Sequence, residues 1–436
     1  MLAPATEAGP SNAPKVATGA SWQGGWKQGL RYGALGLPLA FVALPLYVVL
    51  PNHYATQFGV PLATLGAVLL GARLFDALAD PFIGRFADAW FAHSTRRVLW
   101  VAVIAAIALA LGFHGLFFPA VQGPQAILWW CAGFLGVTYL SFSVLSVVHQ
   151  AWGARLGGEA AQRARIVSWR EGLALVGVLV ASILPAVAGF AVASAVFALA
   201  LALGLWALWG APRAQPQPAA EPPPMALPLR NPAFLRLLLI YLVNGVASAV
   251  PATLVLFFIR DRLDAQAFEP LFLASYFAAG ALSMPVWVKL VARFGLAPAW
   301  LGGMALAIAA FVWAMALQTG DVVAYVAICI ASGIALGADL SLPGAMLAGV
   351  IQRAGHSGKL EGVYFGWWNF ATKLNLALAA GVSLPLLAAF GYTPGARDAQ
   401  ALQALTLAYC FLPCVLKLAA MAALWRLWMR RPEGAP

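Results

Sequence analysis

Long apolar runs, broken at intervals by short polar, proline or glycine punctuation, make up most of this chain. A helix needs about 20 consecutive apolar residues to cross the hydrocarbon core of a bilayer. Runs of that kind predict twelve helices. The first six are expected over residues 29–51, 62–88, 98–119, 125–149, 166–188 and 190–210. The other six are expected over 233–259, 269–292, 297–317, 322–346, 361–390 and 400–427. Only Gly189 and length separate the fifth from the sixth. Between the two sets, residues 211–229 are rich in proline and include Pro222-Pro223-Pro224, which predicts an extended linker. Residues 1–25 are rich in Ala, Pro, Gly and Ser without an apolar core, so they read as a disordered tail and not as a signal peptide. The expected organisation is a tail over 1–27, a six-helix bundle over 28–210, a linker over 211–231, a second bundle over 232–428 and a tail over 429–436. The fold class is an all-α integral membrane protein of twelve transmembrane helices in two six-helix bundles.

Composition narrows the classes further. The 436 residues are 62% hydrophobic and 9% charged, against about 25% charged in soluble domains. That excludes a soluble enzyme, a disordered chain and a domain held by one anchor helix. A net charge of +11 would suggest a nucleic-acid partner in a soluble protein. Here the basic residues sort by side instead. All Lys and Arg except Arg73, Arg260, Arg262, Lys373, Arg397 and Lys417 fall in the even-numbered loops, at the helix ends that border them or at the termini. By the positive-inside rule both termini are cytoplasmic, and no nucleic-acid partner is needed. The four cysteines, Cys131, Cys329, Cys410 and Cys414, lie in apolar segments and imply neither a disulfide framework nor a zinc site. The halves show a weak repeat: Pro45 and Pro251 are 206 residues apart, and Pro81 and Pro285 are 204 apart. With a linker at the midpoint, this favours a duplicated 6+6 architecture.

An ionisable group at the centre of a membrane helix costs about 2.5–3.5 kcal/mol on insertion scales, so the few present point to function. In helix 2, Arg73, Asp76 and Asp80 follow one another at spacings of three and four and share a stripe. Gly84 continues that stripe and admits another helix at close range. Two carboxylates one turn apart repel when both are ionised, which suits a site that takes up and releases H+ or Na+. The alternative is a static network with Arg73 that locks helix packing. In helix 11, Lys373 lies too deep to snorkel, and Asn369 is one turn away on the same face. A buried lysine needs a carboxylate, and helix 2 offers the densest supply. A bond between them that forms and breaks would couple ion binding to movement of the halves; a fixed bridge is the alternative.

Other polar positions leave two readings each. Arg170, beside Glu171 at the start of helix 5, either faces the cavity or anchors at the surface. Asp339 in helix 10 is either a second acidic site or a structural partner. Lys417 in helix 12 reads as a packing or headgroup contact, and His149 as an interfacial residue ending helix 4. The pairs Trp129-Trp130 and Trp367-Trp368 either bracket a flat or sugar-like solute or form belts and packing.

The run from Arg73 through Asp76, Asp80 and Pro81 to Gly84 resembles the helix-2 signature of the glycoside–pentoside–hexuronide:cation symporters, the melibiose permease branch of the major facilitator superfamily. Tyr364 to Lys373, followed by Gly391-Tyr392, resembles that family's helix 11. Gly136 to Tyr139 and Ser168 to Gly172 resemble its helices 4 and 5. Gly84 to Asp88 with Arg96-Arg97 resembles the superfamily's loop 2–3 motif. The resemblance implies the major facilitator fold, Asp76 and Asp80 as cation-site acids, Lys373 as their partner and Arg170 on the substrate side. The cavity set expected on this reading is Arg73, Tyr139, Ser143, Arg170, Trp368, Asn369 and Asp339. Ala79 stands where the melibiose carriers have asparagine, and Leu140 where a threonine helps hold Na+. Ala40 and Ser143 replace the galactoside-binding acids.

The function so read is secondary active, cation-coupled symport of a small polar organic solute, a glycoside or related carbohydrate, by alternating access. Loss of neutral oxygen ligands favours H+ over Na+, although Na+ at Asp76 and Asp80 remains an alternative. A lysophospholipid or other amphiphile carrier of the same fold is one rival reading. A non-transporting membrane receptor or sensor is another, marked by an appended soluble domain. No nucleophile–base pair or metal-ligand cluster suggests an enzyme. No cofactor is expected beyond the coupling ion. The expected partners are the solute and the lipid bilayer, and the expected state is a monomer in the plasma membrane, a bacterial inner membrane.

Overall fold

The computed structural model describes residue 22 and residues 24–213, 224–393 and 395–430. Most of the expected N-terminal tail, the centre of the proline-rich linker and the last six residues lie outside these. Among the described residues every regular element is helical. The first pass is segmented into α1 (Trp26–Gly33), α2 (Gly36–Leu44) and α3 (Leu50–Gln57). Its middle is a π-helical turn that opens at Pro45, whose missing N–H cannot continue the regular ladder. Then follow α4 (Leu62–His93), α5 (Thr95–Phe117), α6 (Pro124–Arg155) and α7 (Ala160–Trp209).

Beyond the linker come α8 (Pro232–Phe257), α9 (Glu269–Phe294), α10 (Leu296–Phe311), α11 (Val322–Arg353) and α12 (Glu361–Ala389). The last pass joins α13 (Ala399–Thr406) to α14 (Leu412–Leu424) through a π-helical turn at Leu407–Phe411. The α7 rod is broken at Gly189, whose φ of 79° and ψ of 168° leave helical space. That conformation comes at little steric cost only to glycine. Counting α7 twice, and α1–α3 and α13–α14 once each, yields twelve passes. Among the described residues nine helices are by themselves long and apolar enough to cross a membrane; α7 counts once, and α1–α3 and α4 are not among them. The α4 helix, with Arg73, Asp76, Asp80, Arg85 and Asp88, carries many of the chain's charges.

The apolar interior divides along the chain. One cluster of buried side chains runs from Trp22 to Ala211. Two others are built from residues after Phe234, except that Ala164 and Val167 at the start of α7 join one of them. Glycines set the closest helix approaches. A Cβ on Gly36 would fall 2.5 Å from the Arg170 carbonyl oxygen, which fixes α2 against the segment of α7 that carries Arg170. Between the halves, a Cβ on Gly366 would fall 2.5 Å from the carbonyl oxygen of Asp80. Only small residues let backbones approach that closely in a membrane.

Two expectations about single residues fail. His149 is not interfacial: it is fully buried, with Nε2 2.7 Å from the Tyr32 carbonyl oxygen. The Tyr32 hydroxyl in turn donates to the His149 carbonyl at 3.0 Å. The physical reason is helix length, because α6 runs to Arg155 and places His149 well inside it. Lys417 is not a headgroup contact either, since its ammonium is buried in an ion pair described below.

Candidate functional site

The first cluster forms where α4 meets α12. Asp76 and Asp80, one turn apart on α4, are both buried. Lys373 of α12 places its Nζ 2.8 Å from Asp76 Oδ1 and 2.8 Å from Asp80 Oδ2. Ser143 of α6 completes the group. Its hydroxyl donates to Asp76 Oδ1 at 2.6 Å and accepts from Lys373 Nζ at 2.8 Å. The ammonium also approaches the Asp76 carbonyl oxygen at 3.4 Å. Thus one ammonium bridges two carboxylates across the two halves, and their charges sum to minus one. The Lys373 side chain keeps 18% of its exposure, against 2% and 0% for Asp76 and Asp80, so the lysine is the accessible member of the group.

Ser143 corrects the view that this site lacks neutral oxygens. Read from the chain, it marked the loss of a galactoside-binding acid; in the fold it touches both the acid and the base. Arg73 lies farther out on α4, exposed and beside the Tyr139 phenol, which is itself buried. Asn369 is buried one turn before Lys373. Trp368 is buried with its ring stacked on Tyr241 at 3.8 Å. Arg170 is buried rather than at the surface, and its Nε and Nη2 bind Glu171 Oε1 at 2.9 and 2.6 Å. Trp129 is 73% exposed, whereas Trp130 donates to the Gly115 carbonyl, so that pair brackets nothing.

A second junction lies two turns along α4, at the end that gathers the basic loops. Asp88 accepts from the backbone N–H groups of Gly362 at 2.7 Å and Val363 at 2.9 Å. These are free donors of the first turn of α12, where the helix dipole also favours an anion. Arg155, at the end of α6, bonds Asp88 at 2.8 Å, Glu361 at 3.2 Å and the Gly358 carbonyl at 2.7 Å. All three side chains are almost wholly buried. Asp88 was visible in the loop motif, but Arg155 and Glu361 were missed. The expected end of helix 4 at residue 149 left Arg155 in a loop.

A third cluster lies inside the C-terminal half. Lys417 of α14 donates to Asp339 at 2.6 Å, Asn244 at 2.8 Å and Ser248 at 3.0 Å. Asp339 of α11 also accepts from Trp300 at 2.9 Å, Asn244 at 3.1 Å and Ser248 at 3.3 Å. This ties together α8, α10, α11 and α14, and gives Asp339 a buried cationic partner. The pair borders a cavity of about 450 Å³, lined mainly by aromatic and aliphatic side chains from residues 241–417.

The family model described as MFS/sugar transport protein matches residues 31–431. The inner membrane symporter YicJ of Escherichia coli (strain K12) is 26% identical over 162 residues, which cover 36% of this chain and 34% of YicJ. The human sodium-dependent lysophosphatidylcholine symporter 1 is 27% identical over 183 residues, covering 41% of this chain and 33% of that protein. These alignments therefore span about a third of either relative. Among solved structures, a bacterial homologue of the iron transporter ferroportin in its outward-facing state superposes with a TM-score of 0.64 at 17% identity. That match covers 91% of this chain and 99% of the other, and it concerns the fold alone.

Proposed function

The chain belongs to the MFS/sugar transport protein family, and from that premise we propose that it is a cation-coupled symporter working by alternating access. The observation that carries this reading is Lys373 bridging Asp76 and Asp80 from the opposite half. The group holds one more acid than base, and the base keeps part of its exposure. Here a surplus carboxylate leaves room for one monovalent cation, and binding that cation releases the lysine from its partners. The halves then lose a bond between them, so ion binding and rocking become one event.

We read the coupling ion as H+. Protonating one carboxylate cancels the surplus charge without further ligands. A metal cation wants several oxygens, and with Lys373 withdrawn Ser143 and the Asp76 carbonyl are the neutral ones at hand. The end bearing Asp88, Arg155 and Glu361 is cytoplasmic by the positive-inside rule. On this reading the conformer is outward-facing, and both termini lie on the cytoplasmic side of a bacterial inner membrane. Asp76, Asp80 and Lys373 bind the driving ion, while Arg73, Tyr139, Asn369, Trp368 and Arg170 are candidates for the solute path. The solute is a small polar organic compound, a glycoside or related carbohydrate, in keeping with the family. The apolar cavity beside Asp339 favours a second reading, an amphiphile carrier.

Proteoliposomes screened with labelled solutes under an imposed pH or Na+ gradient test both readings. Accumulation that follows the pH gradient supports H+ symport. Accumulation that ignores pH and follows Na+ overturns the ion assignment alone, and accumulation of lysophospholipids but not glycosides overturns the solute.

A further inference from the structure

The cavity in the C-terminal half is bounded by polar groups that bond one another and by a buried amide oxygen that bonds nothing. At one side Lys417 spends its three N–H donors on Asp339, Asn244 and Ser248, and Asp339 receives four donors in return. At another, the Tyr325 and Tyr409 hydroxyls bond each other at 2.6 Å. Thr372 is engaged with Tyr241 at 2.8 Å and with the Trp368 carbonyl at 2.9 Å. Asn375 differs from these. It lines the cavity, is 4% exposed, and its Oδ1 has no hydrogen-bond partner. A buried amide oxygen left unpaired costs about 1–3 kcal/mol, so the site is incomplete as it stands.

We propose that this cavity binds an uncharged amphiphile with one hydroxyl group, the hydroxyl pairing with the Asn375 side-chain amide and the apolar body resting among Phe272, Tyr276, Phe277 and Phe311. The volume of about 450 Å³ falls in the range of small-molecule sites. An ionised head is disfavoured because the charged groups at the wall already satisfy each other. A carboxylate would have to break the Lys417–Asp339 pair and then face Asp339 unscreened. A zwitterionic phospholipid head meets the same obstacle. The site is separate from the coupling cluster, yet both use α12: Lys373 reaches toward α4, and Asn375, two residues on, faces the cavity. An occupant therefore touches the helix that carries the coupling lysine. Its binding requires neither a particular coupling ion nor a transported glycoside.

The test uses the full-length protein in nanodiscs without any gradient, so its outcome is independent of coupling. Cys329 and Cys414 line the cavity, whereas Cys131 and Cys410 do not line it and are fully buried. Binding of radiolabelled phenylbutanol is measured against empty nanodiscs, and N-ethylmaleimide modification of each cysteine is followed by peptide mass spectrometry. Saturable binding is expected, with slower modification of Cys329 and Cys414 only. Phenylbutyrate at neutral pH is expected to do neither. Asn375→Ala should weaken phenylbutanol binding about fivefold, the loss of one neutral hydrogen bond. Ala252→Phe, which fills the cavity from an exposed lining position, should abolish binding while leaving the Asn375 neighbourhood intact. Binding no greater than in empty nanodiscs, equal binding of alcohol and carboxylate, or binding unchanged in both variants would overturn the proposal.

Discussion

Gly84 of α4 and Gly362 of α12 meet backbone to backbone. A Cβ on Gly84 would lie 2.2 Å from the Gly362 carbonyl oxygen, and one on Gly362 would lie 2.3 Å from that of Gly84. The contact brings Asp88 onto the first turn of α12, and on the alternating-access reading it is lost when this end opens. Gly84→Val should therefore strain the closed form alone. Overpacking of about 1–3 kcal/mol shifts a two-state equilibrium roughly 5- to 150-fold. Spin labels at the exposed positions Arg96 and Lys359 should show a longer distance in the variant, measured by double electron–electron resonance. An unchanged distance distribution would mean that the contact does not hold the gate.

Arg155 bonds both Asp88 and Glu361. Arg155→Met leaves two buried carboxylates facing each other, a loss on the order of 3–5 kcal/mol for a broken buried pair. The variant should populate the form open at this end and show a lower melting temperature in nanodiscs. Asp88→Asn, which keeps an acceptor for the α12 amides, should have the smaller effect.

Ser143 distinguishes the two ions. Removing its hydroxyl takes one neutral oxygen and a charge-assisted hydrogen bond worth about 1.5–3 kcal/mol from the coupling cluster. Under H+ coupling, Ser143→Ala should slow pH-driven accumulation without abolishing it. A complete loss, with the protein still folded and inserted, would favour a Na+ site that depends on that oxygen.

Asp339 and Lys417 allow a double-mutant test. Lys417→Met alone strands a buried carboxylate and should lower stability by about 3–5 kcal/mol, whereas Asp339→Leu with Lys417→Met should recover most of it. Thermal unfolding of the single and double variants in nanodiscs measures both. A double variant no more stable than the single would show that Asn244, Ser248 and Trp300 depend on the charges themselves.

Much of this was legible because charge is so scarce. Asp76, Asp80 and Lys373 stand out in apolar runs, and their meeting follows from the need of a buried lysine for an acid. The break in α7 was marked only by Gly189 and by length, and glycine is the residue that enters that backbone region without strain. What the chain hid was tertiary. Asp339 and Lys417 were each noticed, but 78 residues separate them, and nothing local shows that α11 and α14 face one another. Helix ends misled as well, because α6 runs to Arg155 and not to residue 149. That difference turned a buried histidine into an apparent surface residue and concealed the arginine of the latch. Ser143 was read for what it had replaced, whereas its role rests on the two residues it touches.

The central claim is that Lys373 exchanges its bond to Asp76 and Asp80 for a bound cation. The most direct measurement is gradient-driven solute accumulation in proteoliposomes by the wild type, Asp80→Asn and Lys373→Ala. Both variants should lose pH-driven accumulation at least tenfold, about 1.4 kcal/mol of coupling, while Asp80→Asn keeps exchange of solute across the membrane. Accumulation left intact in both variants would contradict the account.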